Sequence, residues 1–97
     1  MKRGEIKRIN MLGADLAPAT GLIDGYFGVH KGDDWGYTVT HLSSGAALGD
    51  YRTQKEAVTI INRLNKLKGI PWDSTNPGVF YQYEPIIRRI LGNFYEE

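Results

Sequence analysis

The sequence predicts an α+β domain: a three- or four-stranded antiparallel sheet, one long helix packed on one face, and a second C-terminal helix. Two observations predict this fold. Residues 26–52 hold three runs of strand-forming residues separated by short turns, and apolar residues at helical spacing follow directly in residues 54–68. Because one apolar helix stripe can cover one apolar sheet face, these elements predict two layers.

The three central strands are predicted from period-two alternation. Residues 26–31 (YFGVHK) end at the turn residues 32–34 (GDD), and residues 35–42 (WGYTVTHL) alternate throughout. A weaker strand at 46–52 (AALGDYR) follows the turn SSG. Such short connections predict an antiparallel meander.

The long helix is predicted to span residues 54–68. Thr53 with Glu56 has the spacing of a capping box, Gly69 permits a left-handed cap, and Pro71 prevents continuation. Its apolar stripe consists of Ala57, Ile60, Ile61 and Leu64, extended by Leu67 or Lys68. This stripe is expected to lie across the sheet.

The C-terminal helix is predicted to begin near Glu84, because Pro85 is tolerated only in a first helical turn. Residues 79–83 fit either a strand or the start of that helix. Arg88 and Arg89 are expected to point away from the core. The expected apolar face consists of Ile86, Ile87, Ile90, Leu91 and Phe94.

The N-terminal part is less regular. Residues 1–24 are interpreted either as a partly flexible segment or as one containing a short edge strand at 5–12, where basic residues would discourage edge pairing. Residues 13–25 contain three glycines and a proline and predict a loop. All 97 residues are expected to form a single domain.

The composition narrows the function classes. The net charge of +1 predicts no global attraction to nucleic acid or anionic membranes, and the absence of cysteine removes disulfides and thiolate sites. The chain has no apolar run of the roughly 20 residues that a membrane span needs. A cytoplasmic, soluble protein without membrane partner or cofactor is therefore expected.

The sequence offers little catalytic chemistry. His30 and His41 lie on neighbouring predicted strands, but their spacing to Asp33 or Asp34 matches no zinc motif, so no metal site is predicted. Ser44, like Ser43 before it, stands near His41 in a turn without an orienting acid. The prediction is that the protein is not an enzyme.

Two surfaces are candidates for partner binding. One is the sheet face opposite the long helix with its rim, for which the competing interpretation is a plain solvated face. Its members are His30, Lys31, Trp35, Thr38, Thr40 and Arg52. The other is an aromatic patch beside a proline-containing loop, for which the competing interpretation is an extension of the core. Its members are Trp72, Phe80, Tyr81 and Tyr83.

Three motifs in residues 26–64 follow in order: YFGV, a strand beginning at Trp35, and LGDYRTQKEAV entering the helix. They resemble the Apetala-type DNA-binding domain, which has Y-R-G-V, a tryptophan strand and L-G-x-[FY]-x-T-x-E-E-A before its helix. Integrase arm-binding domains share that arrangement. The resemblance implies a three-stranded sheet that lies in the major groove of duplex DNA, with the helix packed behind it.

The chain departs from that family where arginines would hold phosphates and guanines. Phe27, His30, Lys31 and residues 32–34 stand there instead, and two acids near the docking surface would repel phosphate. The remaining contacts are His30, Lys31, Trp35 and Arg52. Reading of duplex DNA by the sheet is therefore the alternative function, with nucleic acid as the alternative partner.

In size and style the chain is similar to small accessory proteins of phages and mobile elements, many of which dock on host proteins, anti-CRISPR inhibitors among them. With no catalytic set and with two candidate surfaces, the sequence predicts a non-catalytic binding protein of this kind. Its expected action is to dock on a host macromolecular complex and inhibit or modulate it, with a protein as the favoured partner.

Overall fold

A computed structural model describes residues 1–10, 12–32 and 35–92. It contains one five-stranded antiparallel sheet in sequential order and two helices. The strands are β1 (Lys2–Ile9), β2 (Asp15–Asp24), β3 (Phe27–Lys31), β4 (Tyr37–His41) and β5 (Ala47–Tyr51); the helices are α1 (Gln54–Asn65) and α2 (Glu84–Leu91). The α+β class is confirmed, but the sheet has five strands rather than three or four.

The central meander follows the predicted alternation. In β3 and β4, His30 pairs with Thr38 and Gly28 with Thr40, so these residues share one face of the sheet. Val39, fully buried, lies on the opposite face, where α1 packs. The predicted turn residues Asp33 and Asp34 lie outside the described residues.

Helix α1 is shorter than predicted, with 12 residues. Its start is confirmed, because the Thr53 hydroxyl oxygen accepts the Glu56 N–H at 3.1 Å. Its end comes at Asn65, where the Lys66 N–H bonds the Arg63 carbonyl at 3.3 Å. Such i to i−3 bonds tighten a last turn and end the helix before Gly69 is reached. The predicted buried stripe is confirmed at Ala57, Ile60, Ile61 and Leu64.

The cap at Thr53 gives a direct test of the helix start. Replacement of Thr53 by alanine leaves the Glu56 N–H without its acceptor and is expected to lower the free energy of unfolding by about 1 kcal/mol. The matched variant is Thr59→Ala, whose hydroxyl only bonds the Lys55 carbonyl within the exposed part of the helix. Urea titration should show a loss in the first variant and little change in the second; equal losses would contradict the capping role.

The C-terminal segment contains a 3₁₀-helix followed directly by an α-helix. Residues Pro77–Tyr83, left open between strand and helix, form a 3₁₀-helix that leads into α2 at Glu84 as predicted. Ile87 is buried in the core, and Ile90 and Leu91 pack against it. Ile86 was wrongly placed on the buried face, since its side chain is 52 % exposed, and Phe94 lies outside the described residues.

The N-terminal segment forms a long hairpin, so the prediction of a loop over residues 13–25 was wrong. Pro18 and Gly21 are accommodated within β2, whereas Gly13 and Gly25 lie just outside its two ends. The ladder pairs Ile6 with Ala19 and then Arg8 with Leu16, which leaves Pro18 and its neighbour Ala17 opposite a single residue of β1. A bulge of this kind is one of the few places where proline fits a strand, and it bends the hairpin.

This hairpin folds over the sheet face that α1 leaves free. Ile6 is fully buried. A Cβ atom built on Gly28 would lie only 2.8 Å from Ile6 Cδ1, so Ile6 can pack here because Gly28 has no side chain. Beyond it, the Ile9 N–H donates to the Gly45 carbonyl at 3.0 Å in the β4–β5 turn. The prediction that this face is bare was therefore wrong.

Candidate functional site

The six residues predicted on the free sheet face and its rim fall into two groups. His30 and Thr40 are buried, at 5 % and 1 % exposure, and do not form an accessible platform. Together with half-buried Thr38, they line a cavity between the sheet and the N-terminal hairpin. Trp35 also lines this cavity and is 51 % exposed. Lys31 and Arg52 are exposed and do not line the cavity.

The cavity, named here the hairpin cavity, has a volume of about 300 Å³. Besides the sheet residues, its walls include Arg8 and Leu16 of the hairpin and Asp50 of β5. Sequence reasoning missed Arg8 and Leu16 because it placed the N-terminal segment away from the sheet, and Asp50 was not among the predicted site residues. The signal that could have located them is Gly28, a residue without a side chain between buried neighbours, which marks close approach of another element.

His30 holds an unpaired acceptor at this cavity. Its Nδ1–H donates to the Lys31 carbonyl at 2.9 Å, so the other ring nitrogen, Nε2, carries the lone pair of the neutral ring. That Nε2 is buried and meets no hydrogen-bond partner within the described part of the chain. Beside it, the Thr38 hydroxyl donates to the Asp50 carboxylate at 2.6 Å.

The aromatic patch divides between core and surface. Trp72 is 4 % exposed and packs edge-on against Phe27, with ring centroids 4.8 Å apart, and Phe80 lies 5.2 Å from it. Tyr83 also packs against the core. Only Tyr81 stands out, with 77 % of its surface exposed.

A second, predominantly apolar depression of about 160 Å³ lies under Tyr81 and is named here the aromatic groove. Trp72, Phe80 and Ile87 line it together with Leu48 of β5. The indole Nε1 of Trp72 is buried and has no acceptor among the described residues. The groove therefore combines an apolar floor with an exposed aromatic side chain at its edge.

His41 and Ser44 form a buried pair at the start of the β4–β5 turn. The Ser44 hydroxyl donates to His41 Nδ1 at 2.7 Å, and the opposite Nε2–H donates to the Trp72 carbonyl. Ser44 Oγ also accepts the Ala46 N–H at 3.1 Å. These bonds join the turn to the segment that carries Trp72. The pair therefore ties the sheet to the C-terminal layer, which consists of Trp72, the 3₁₀-helix and α2.

Burial lowers the pKa of His41 below its ordinary value of 6.5, and the hydrogen bond to the Trp72 carbonyl opposes this only in part. As the pH falls below 6.5, the unfolded chain takes up a proton that the folded chain resists, so stability is expected to fall until the folded pKa is reached. Melting temperatures between pH 8 and pH 5 should show this loss. In His41→Gln the slope should flatten; a slope equal to that of the natural chain would contradict the assignment.

Metal-ligating residues do not converge in the described ranges. Among residues 1–10, 12–32 and 35–92, no group of three His, Cys, Asp or Glu side chains is placed to hold a metal ion. His30 and His41 lie on opposite faces of the sheet, because His30 pairs with Thr38 whereas His41 pairs with Phe27. No helix within these same ranges is long and apolar enough to cross a membrane.

Comparison of the chain with protein-family models, with curated proteins and with solved structures found no match. The resemblance of residues 26–64 to the Apetala-type domain therefore stays a prediction. The strands β3 to β5 followed by α1 have the topology that this resemblance implies. The face that would enter the major groove, however, is partly occupied by the N-terminal hairpin.

Proposed function

We propose that the protein is a non-catalytic binding protein that docks on a protein partner through the aromatic groove and so modulates a larger complex. The single observation that carries this proposal is the exposure of Tyr81, at 77 %, beside an apolar depression floored by Trp72. A small domain usually buries its large aromatic side chains, because it has little other apolar surface with which to build a core. Exposed aromatics next to an apolar pocket are typical anchors of protein interfaces.

The chemistry of the groove indicates the kind of segment that fits it. Its apolar walls suit one aliphatic or aromatic side chain. Glu84 lines the groove and adds a charged rim. A peptide segment with one apolar anchor offers these features together.

Site-specific crosslinking tests the proposal. A photoreactive phenylalanine analogue placed at Tyr81, in cells that naturally carry the gene, is expected to give one discrete protein adduct. The matched control is the same analogue at Trp35, an exposed aromatic residue two positions before β4. It should not give that adduct. Identical adducts from both positions, or none from Tyr81, would contradict docking through the groove.

Affinity measurements follow once the partner is identified. Replacement of Tyr81 by alanine is expected to weaken binding about tenfold or more, since truncating a central aromatic anchor commonly has that effect. The Trp35→Ala variant should retain the natural affinity. Titration calorimetry with both variants gives the comparison, and equal losses would place the interface elsewhere.

Duplex DNA is the second candidate partner. The observation that favours it is the exposure of Lys31 and Arg52, which lie at the ends of β3 and β5 on either side of β4. Two such cations would give a salt slope no steeper than about −1.8 for log affinity. Binding of random duplex DNA at two salt concentrations decides: no binding at low salt removes this candidate.

A further inference from the structure

The hairpin cavity has an apolar mouth and a polar floor. Trp35 lies at the mouth with half of its indole exposed, and Leu16 of β2, 42 % exposed, lines the same space. The floor is polar and comes from the buried residues His30 and Thr40. A ligand that enters would therefore place an apolar surface at the mouth and polar groups at the floor.

The polar groups at the floor and wall call for hydrogen-bond donors. His30 Nε2 is a buried lone pair that no group in the described ranges satisfies, and Asp50 contributes carboxylate oxygens, one of which already accepts from Thr38. A buried acceptor without a donor costs free energy, and a ligand N–H that displaces the atoms now covering Nε2 would recover it. The matching ligand therefore carries one or more N–H donors.

The charges of the cavity limit the ligand further. Arg8 donates through Nε to the Ala17 carbonyl at 2.8 Å, and Asp50 carries the opposite charge on another wall. Among the described residues that line the cavity, one carries each sign, so these residues present no net charge to a phosphate or a polyamine. A neutral ligand is the better match, because charge without a compensating partner is costly to bury.

The shape of the cavity limits its occupant as well. An indole at the mouth offers a stacking surface to a planar ring, and stacking on aromatic side chains is a general way in which proteins hold nucleobases. A volume of about 300 Å³ is at the small end for ligand sites, which suits one base with its sugar at the opening. Planarity, neutrality and N–H donors occur together in nucleobases.

We propose that the hairpin cavity binds a nucleobase with an exocyclic amino group, which donates to His30 Nε2 while the ring stacks on Trp35. The base can be part of a free nucleoside or an unpaired base of a single strand, because both present the same ring and amino group. This site is separate from the aromatic groove, and neither proposal depends on the other.

Titration calorimetry with the whole chain tests the proposal. Adenosine and cytidine are the first probes, and short single strands of deoxyadenosine or deoxycytidine are the second. Purine riboside, which lacks the amino group of adenosine, is the matched ligand control and is expected to bind about tenfold more weakly. Because the protein is unchanged in this comparison, a folding defect cannot produce the difference.

The protein variants complete the test. Trp35→Ala removes an exposed ring and is expected to weaken binding about tenfold or more, whereas Tyr81→Ala, in the aromatic groove, should bind as the natural chain does. Binding of nucleosides with this pattern supports a free ligand; binding of the oligonucleotides alone, with the same Trp35 dependence, supports an unpaired base. The proposal is overturned if neither class binds at millimolar concentration, if purine riboside binds as well as adenosine, or if Trp35→Ala leaves the affinity unchanged.

Discussion

Replacement of Ile6 by alanine is expected to lower the free energy of unfolding by about 2–5 kcal/mol. Ile6 is fully buried between the N-terminal hairpin and the second sheet face, above Gly28 and beside Leu42. Truncation removes the transfer free energy of three carbon atoms and leaves a cavity that the rigid sheet cannot close. Chemical denaturation measures the loss.

The matched control is Ile86→Ala, because Ile86 is half exposed on α2 and should lose no more than about 0.5 kcal/mol. The two variants delete the same atoms but differ in burial; they differ also in that Ile86 stands in a helix, where alanine has the higher helix propensity and so further limits the loss. Similar small losses in both would mean that the hairpin does not pack on the sheet.

A double-mutant cycle makes the contact itself measurable. A methyl group at Gly28 would meet Ile6 Cδ1 at 2.8 Å, so Gly28→Ala is expected to cost about 1–3 kcal/mol in the natural chain. In the Ile6→Ala background that methyl group has more room, although Leu42 Cδ2 still lies 3.1 Å away. The cost should therefore be smaller, and the difference is the coupling energy between the two positions. Strict additivity would contradict the contact.

The second large effect is expected at Trp72. Its ring packs against Phe27, His41 and Phe80, so Trp72→Ala should cost about 3–5 kcal/mol and loosen the whole C-terminal layer. The contact with Phe27 is edge-on, an arrangement that adds to the area buried. Thermal unfolding followed by circular dichroism gives the measurement.

Trp35→Ala provides the comparison within the same chain. Trp35 is half exposed at the mouth of the hairpin cavity, and its removal should change stability by no more than about 0.5 kcal/mol. The two tryptophans thus separate a structural role from a binding role. If Trp35→Ala destabilised the chain as strongly as Trp72→Ala, Trp35 would be part of the core, and the binding tests on it would lose their meaning.

Local patterns in the sequence were enough to predict the central part of the fold. Alternation in β4 and the apolar stripe of α1 placed Val39 and Ile61 in the core, and the cap at Thr53 located the start of the helix. These are short-range signals, in which the residues that decide the structure stand within a few positions of one another. Proline tolerance at the start of a helix placed α2 in the same way.

The hairpin was missed because the contacts that determine it are distant in the sequence. Pro18 and the neighbouring glycines are local loop signals, and they were overridden by a bulge in the strand pairing and by the packing of Ile6 on Gly28. The same error left the far sheet face uncovered in the prediction. The hairpin cavity could not be predicted either, since Arg8 and Asp50 come to line the same space only after the hairpin folds over.

The hairpin also changes where recognition is expected. A bare sheet face would favour a flat macromolecular surface, whereas the covered face leaves a half-open cavity on one side and the aromatic groove elsewhere. His30 and Thr40, which were predicted to lie on an open binding face, are buried and line the cavity instead. Both binding proposals thus depend on the arrangement of the hairpin or of the C-terminal layer around the same central meander.

The most direct test of the account is whether the N-terminal hairpin lies on the sheet in solution. Nuclear Overhauser effects from the Ile6 δ-methyl group measure this contact without any substitution. Strong cross-peaks to the Gly28 α-protons and to a Leu42 methyl group are expected, because Ile6 Cδ1 and Leu42 Cδ2 both lie close to the position that a Cβ atom of residue 28 would occupy. Cross-peaks from Ile6 to β2 alone, with none to Gly28 or Leu42, would contradict the covered face and the cavity with it.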